Sequence, residues 1–390
     1  MAAAIILFAA CKKENETVQT PVQSSGTNVS EAMVQEDGNN PDEAVLKAGN
    51  NASSGGYVYL ESNDASGNMI IAYKQESSGT LTWIASTASG GNGSGAGLGS
   101  ESAIAIDKKH NLLFAVNAGS NSVSSFKIKS NGMSELKYTI SSGGTLPVSL
   151  CVNNNLLYVV NSTTANISGY KVSGDGSLSW INGSQSNLSD ITALPAQIAF
   201  SPAGNSLLVT EKITNKIAAF SLAANGSVSN AVYTNAVGVQ PFGFDFSRDK
   251  FMIVSNASMG AANASTCTSY DGLYLNVSAV NGAVANHQSA SCWVATSKYG
   301  RYAYVTNAKS NNIVAYYVSA FGAIYYLPWS AAPTGAGPID ITVSNNNLFV
   351  YNINSGDHSV TAFRRSALGT LQPIETIASI PSFAAGIIAY

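Results

Sequence analysis

Between residues 57 and 390 the chain repeats itself about every 48 residues, and this period limits the fold more than any other feature. Leu112–Phe126 (LLFAVNAGSNSVSSF), Leu156–Tyr170 (LLYVVNSTTANISGY), Leu207–Phe220 (LLVTEKITNKIAAF) and Tyr302–Tyr316 (YAYVTNAKSNNIVAY) are copies of one pattern. Each copy is a strand of β-branched and aromatic residues, a polar turn and a second alternating strand. A Gly-containing turn follows, as at Gly132-Met133, Gly176-Ser177-Leu178, Gly226-Ser227-Val228 and Gly322-Ala323-Ile324. More divergent copies begin at Tyr57, Phe251 and Leu348. The polar residue after the first strand falls at Asn63, Asn117, Asn161, Glu211, Asn256, Asn307 and Asn352, at intervals of 44 to 54 residues. Repeats of this length built from short strands are propeller blades. Seven of them fill residues 57–390.

A further strand recurs between copies, at Ala103–Asp107, Pro147–Val152, Pro195–Ser201, Pro241–Ser247, Cys292–Ser297 and Pro338–Ser344. The last of these, Phe383–Tyr390, has no blade after it, and the blade at Tyr57 has no such strand before it. Pairing the C-terminal strand with the N-terminal blade closes the ring and removes both open edges. The expectation is an all-β, seven-bladed β-propeller in a monomeric chain.

Composition agrees and excludes several functions. Charged residues make up 11% of the chain, net charge is −3, and Lys and Arg form no basic stripe, so nucleic acid is not an expected partner. The three histidines are scattered and no Cys-x-x-Cys pair occurs, so neither a metal nor another cofactor is expected. Cys267 and Cys292 are candidates for a disulfide closing an insertion in the fifth blade. The alternative is a pair of buried free thiols.

The first 56 residues read differently. Ala2–Ala10 is a short apolar run ending Phe8-Ala9-Ala10-Cys11 before Lys12-Lys13-Glu14. It resembles a bacterial lipobox, which implies a signal peptide over 1–11, a lipid at Cys11 and a place in the cell envelope, anchored to a membrane. Residues 12–56 lack periodicity and read as a flexible stalk.

The repeat itself, with Pro195–Lys212 (PAQIAFSPAGNSLLVTEK) and FAVNAGSNSV, resembles the lactonase propeller family, which includes bacterial 6-phosphogluconolactonase and fungal carboxymuconate cyclase. The likeness covers essentially all of 57–390 and, at Gly90–Ser100, Pro241–Phe244 and Cys292-Trp293, is closest to exported members of unassigned activity. It implies a lactone hydrolase or a non-catalytic module that takes a small molecule, carbohydrate or protein at the propeller face. Active members carry an Arg-His pair at the start of an inner strand. The counterparts here are Ala196-Gln197, Phe242-Gly243 and Ile339-Asp340, so that pair is missing.

Lactone hydrolysis needs a group that activates water and a donor for the developing oxyanion. Glu211 and Lys212 are the candidates for these roles, although neighbours on a strand face opposite ways unless a bulge intervenes. The other reading of Glu211 is a polar turn residue. Aligned inner strands place Ala103, Ser149, Gln197, Gly243, Trp293, Asp340 and Gly386 on one ring, of which Ser149, Gln197, Trp293 and Asp340 are candidate binding residues. The Gly-rich segment 90–100 lacks a following Gly-Lys-Ser/Thr and reads as a flexible inter-blade loop. Phe321, Tyr325, Tyr326 and Trp329 are either core or a sugar-stacking platform.

Overall fold

The computed structural model describes residues 55–272, 275 and 277–390; Cys11 and the segment read as a stalk, up to residue 54, lie outside them. Seven antiparallel sheets follow one another around a ring. Blade 1 is Gly56–Glu61, Met69–Gln75 and Leu81–Ala88, with Ala385–Ala389 as its inner strand. The inner strands of blades 2 to 7 are Ile104–Asp107, Pro147–Asn153, Pro195–Phe200, Pro241–Ser247, Ser291–Thr296 and Pro338–Val343. In blades 3 and 6 a short extra strand, Ser186–Asn187 or Ala332–Pro333, completes the outer edge. Closure is as expected: Val58 pairs with Ala389, and Tyr57 and Tyr390 exchange backbone hydrogen bonds of 2.8 Å.

Alternation explains why these segments pack. In each blade the second and third strands are buried on both faces, as LLFAVN and YAYVTN require, while outer strands such as Ser134–Ser141 are largely exposed. Aromatic residues lock one blade to the next: the Tyr59 hydroxyl donates to the Gly132 carbonyl at 2.9 Å and that of Tyr351 to Gly79 at 3.0 Å. Gly132 adopts φ +82°, and a Cβ there would meet the Tyr57 ring at 2.2 Å, so the recurring turn glycine is needed for close packing between blades.

Two details depart from the sequence reading. The polar position that recurs at the end of the second strand belongs to Glu61 in blade 1 and Asn354 in blade 7, two residues away from Asn63 and Asn352, because strand pairing rather than spacing fixes it. Cys267 and Cys292 are buried free thiols. Cys267 sits on the third strand of blade 5 against Tyr316, whereas Cys292 lies on the inner strand of blade 6 beside Phe242 and Trp293. Burial pushes the Cys292 thiol up to about 12.

Candidate functional site

The inner strands of blades 3 to 7 bulge close to their start, between Pro147 and Ser149, Pro195 and Gln197, Pro241 and Phe244, Ser291 and Val294, and Pro338 and Ile341. The bulge interrupts the ladder and leaves backbone N–H groups to be satisfied from the neighbouring blade. Side chains of the ring supply the acceptors. Ser149 Oγ accepts from Ile198 N at 3.1 Å, Gln197 Oε1 from Phe244 N at 2.6 Å, and Asp340 Oδ2 from Gly386 N at 3.1 Å. The ring therefore exists, and much of its polarity joins blade to blade.

At Gly243 the ring has no side chain, and a residue from elsewhere takes its place. Glu101, on the connection between blades 1 and 2, directs Oε2 to Val294 N at 3.2 Å. A Cβ on Gly243 would lie 1.8 Å from that oxygen. The segment Gly99–Ser102 thus crosses the end of the channel where the inner strands begin. Glu101 N donates to Ala196 O at 2.9 Å, Leu150 N to Ser102 O at 2.9 Å, Ser100 Oγ to Val148 O at 2.8 Å and Trp293 Nε1 to Ser100 O at 2.7 Å. Lys212 closes the set, with Nζ on the Gly99 carbonyl and over the Phe242 ring.

The Gly-rich stretch leading to this plug is pinned rather than slack. Asn63 accepts from Ser94 N at 2.7 Å and donates to Ala96 O at 2.7 Å, and Gly119 N donates to Asn92 O at 3.0 Å. A Cβ at Gly93 would meet the Asn63 carbonyl carbon at 2.0 Å, so glycine here permits contact between two backbones.

Below the plug the channel holds a cavity of about 250 Å³. Gln197, Asp340 and Glu101 line its closed end, Ile104, Ile341 and Ile387 its wall, and Thr296, Thr342 and Asp245 its other polar surface. Four carboxyl groups, Glu101, Asp340, Asp245 and Glu61, lie in or beside it. Burial pushes Asp340 up to about 7. It also raises Glu101 well above the carboxylate range, with Asp340 and Asp245 adding repulsion. Glu61 and Asp245 are raised by burial too. Among the described residues no group of three His, Cys, Asp or Glu is arranged to hold a metal ion.

Glu211 and Lys212 part company, as strand alternation requires. The Glu211 carboxylate accepts from Ser189 N at 3.0 Å and from the hydroxyls of Ser189 and Thr214, and it does not line the channel cavity. Lys212 faces the plug; burial holds its ammonium down at about 8. Of the four ring residues, Gln197 and Asp340 line the channel cavity and Ser149 and Trp293 do not, whereas Phe321 and Trp329 are exposed on blade 6. Glu101 escaped the sequence reading; the glycine at ring position 243 was the signal that something else fills that space.

Residues 50–187 match the family described as lactonase, 7-bladed beta-propeller. The resemblance to the lactonase propellers holds. Among solved structures, a candidate 6-phosphogluconolactonase of Bacteroides uniformis shares 17% identity over 85% of this chain and 99% of its own, with a TM-score of 0.71. One of Bacteroides fragilis shares 17% over 86% and 98%, with a TM-score of 0.69. The periplasmic gluconolactonase of Pseudomonas aeruginosa shares 15% over 86% and 99%, with a TM-score of 0.68. No curated protein matches the sequence. At these identities the lactonase-type fold is what is shared.

Proposed function

We propose that this lactonase-like propeller binds a small molecule, such as a sugar or sugar acid, in its central channel, entering from the end opposite the plug. The observation that carries the reading is the polar cavity of about 250 Å³ beneath Glu101, Gln197 and Asp340. A cavity of this kind, with an apolar wall and a few convergent polar groups, suits a small ligand. The Arg-His position of active lactonases falls at the opposite, plugged end, where Ala196 and Gly243 meet Glu101 instead. We further propose the lipid anchor at Cys11, which would hold the propeller at a bacterial envelope membrane.

The second reading is hydrolysis of a sugar or aromatic-acid lactone, favoured by the fold shared with the gluconolactonase of Pseudomonas aeruginosa. In that case Asp340, with its carboxyl pushed up to about 7, is the group suited to general-base work near neutral pH. A lactone panel assayed on the wild type, Asp340→Asn and Glu211→Gln separates the two. Binding without turnover supports the module. Turnover lost in Asp340→Asn and kept in Glu211→Gln establishes the hydrolase, and absence of both binding and turnover removes the channel as the site.

A further inference from the structure

The open end of the channel carries a feature that neither blade building nor the channel cavity requires. A second cavity of about 260 Å³ lies where the inner strands finish, lined by Lys108, Thr296, Lys298, Val343, Ser344 and Asn345. Lys108 and Lys298 come from the hairpin turns of blades 2 and 6, and residues 344 and 345 from that of blade 7. Desolvation, and secondarily the positive charge of Lys298, hold the Lys108 ammonium below its usual range.

Nothing described here neutralises them. Among the described residues neither lysine forms an ion pair with a carboxylate. The adjacent acid, Asp107, turns away to His110 Nδ1 at 2.6 Å and to the Lys109 amide at 2.9 Å. Asp245 is held within the channel by Thr296 N and Oγ1, both at 2.8 Å. Lys108 Nζ instead donates to Asn345 Oδ1 at 2.7 Å, which fixes it at the rim of the cavity. Two ammonium groups that line one small cavity repel each other, and an anion between them relieves that repulsion.

We propose that this mouth is a binding site for a small anion, a phosphate monoester or carboxylate, held between Lys108 and Lys298. It shares Thr296 and Val343 with the channel cavity, so one ligand can place its anionic group at the mouth and its neutral body inside. The mouth does not require the channel reading: a lone phosphate ion suffices to occupy it.

The test is calorimetric titration of the full chain with inorganic phosphate and, separately, with gluconate, at fixed ionic strength against a chloride control. Saturable binding of at least one is expected, and the tighter of the two names the anionic group. Lys298→Gln weakens it about tenfold, and the Lys108→Gln/Lys298→Gln double variant abolishes it with Tm unchanged. Thr342→Phe, which narrows the channel, leaves phosphate binding intact while reducing that of a neutral sugar. No binding above the chloride control overturns the proposal. So does a double variant that binds as wild type, or loss of phosphate binding in a folded Thr342→Phe, which would assign the anion to the channel instead.

Discussion

The two ends of the channel are built from the same inner strands and are put to opposite uses. Where the strands begin, every nearby polar group that the plug touches is engaged: Glu101 with Val294, Trp293 with Ser100, Lys212 with Gly99, Asp340 with Gly386. Where they finish, Lys108 and Lys298 line an open cavity and, among the described residues, neither forms an ion pair with a carboxylate. Buried polarity in this protein is therefore chiefly structural at one end, because an unmade hydrogen bond there would cost more than a made one gains. At the other end, charge has been left available.

The sharpest way to break this contrast is at Gly243. Gly243→Ala puts a methyl group 1.8 Å from Glu101 Oε2 and 2.8 Å from the Cys292 carbonyl oxygen, so urea unfolding should report a loss of about 3 kcal/mol or more. Adding Glu101→Ala should restore part of that loss, since the two residues compete for one space. A neutral Gly243→Ala would mean that Glu101 does not fill the ring.

Next in size is a pH dependence with a defined sign. Asp340 has a folded-state value of about 7 against 3.8 when unperturbed, so the native state binds the extra proton between these values. Its contribution to stability is complete below about pH 4 and is lost as pH rises through 7, a change of about 4 kcal/mol at about 1.36 kcal/mol per unit. Glu101 and Glu61 act in the same direction. Lys212 acts in a higher window: its value of about 8 lies below 10.5, so protonation disfavours folding below 8 and stability recovers as pH rises toward 10.5. Thermal unfolding from pH 4 to 8 should show falling Tm in the wild type and a shallower fall in Asp340→Asn.

Glu211→Gln should cost about 1–2 kcal/mol, because the carboxylate accepts three hydrogen bonds that an amide cannot all replace. It should leave ligand binding in the channel unchanged in the same titrations. The smallest effect belongs to the open end: Lys298→Gln should stay within about 0.5 kcal/mol of wild type by urea unfolding, its consequence confined to anion binding.

The fold was legible because a propeller writes its period into the chain. Even the split first blade followed from counting inner strands, and the ring from Ser149 to Asp340 aligned correctly through their shared apolar neighbours. Register was less accessible in the divergent blades, where Asn63 and Asn352 stood two residues from the positions that strand pairing assigns. The plug and the lysine mouth were hidden for a different reason. Glu101 meets Val294 across 193 residues and Lys108 meets Asn345 across 237, and only ring closure brings such distant segments together. Glu211 and Lys212 engage different partners, Ser189 and Thr214 for one and Gly99 for the other, as the alternation of strand neighbours requires.

Native-state hydrogen exchange at Glu101 and Val294 tests the closed end most directly. Their amides bond to the Ala196 carbonyl and the Glu101 carboxyl, respectively, and both should exchange as slowly as the amides of the inner strands. Exchange as fast as that of exposed turns such as 129–133 would mean that the plug opens readily. The end where active lactonases place their Arg-His pair would then be accessible after all, contradicting the account.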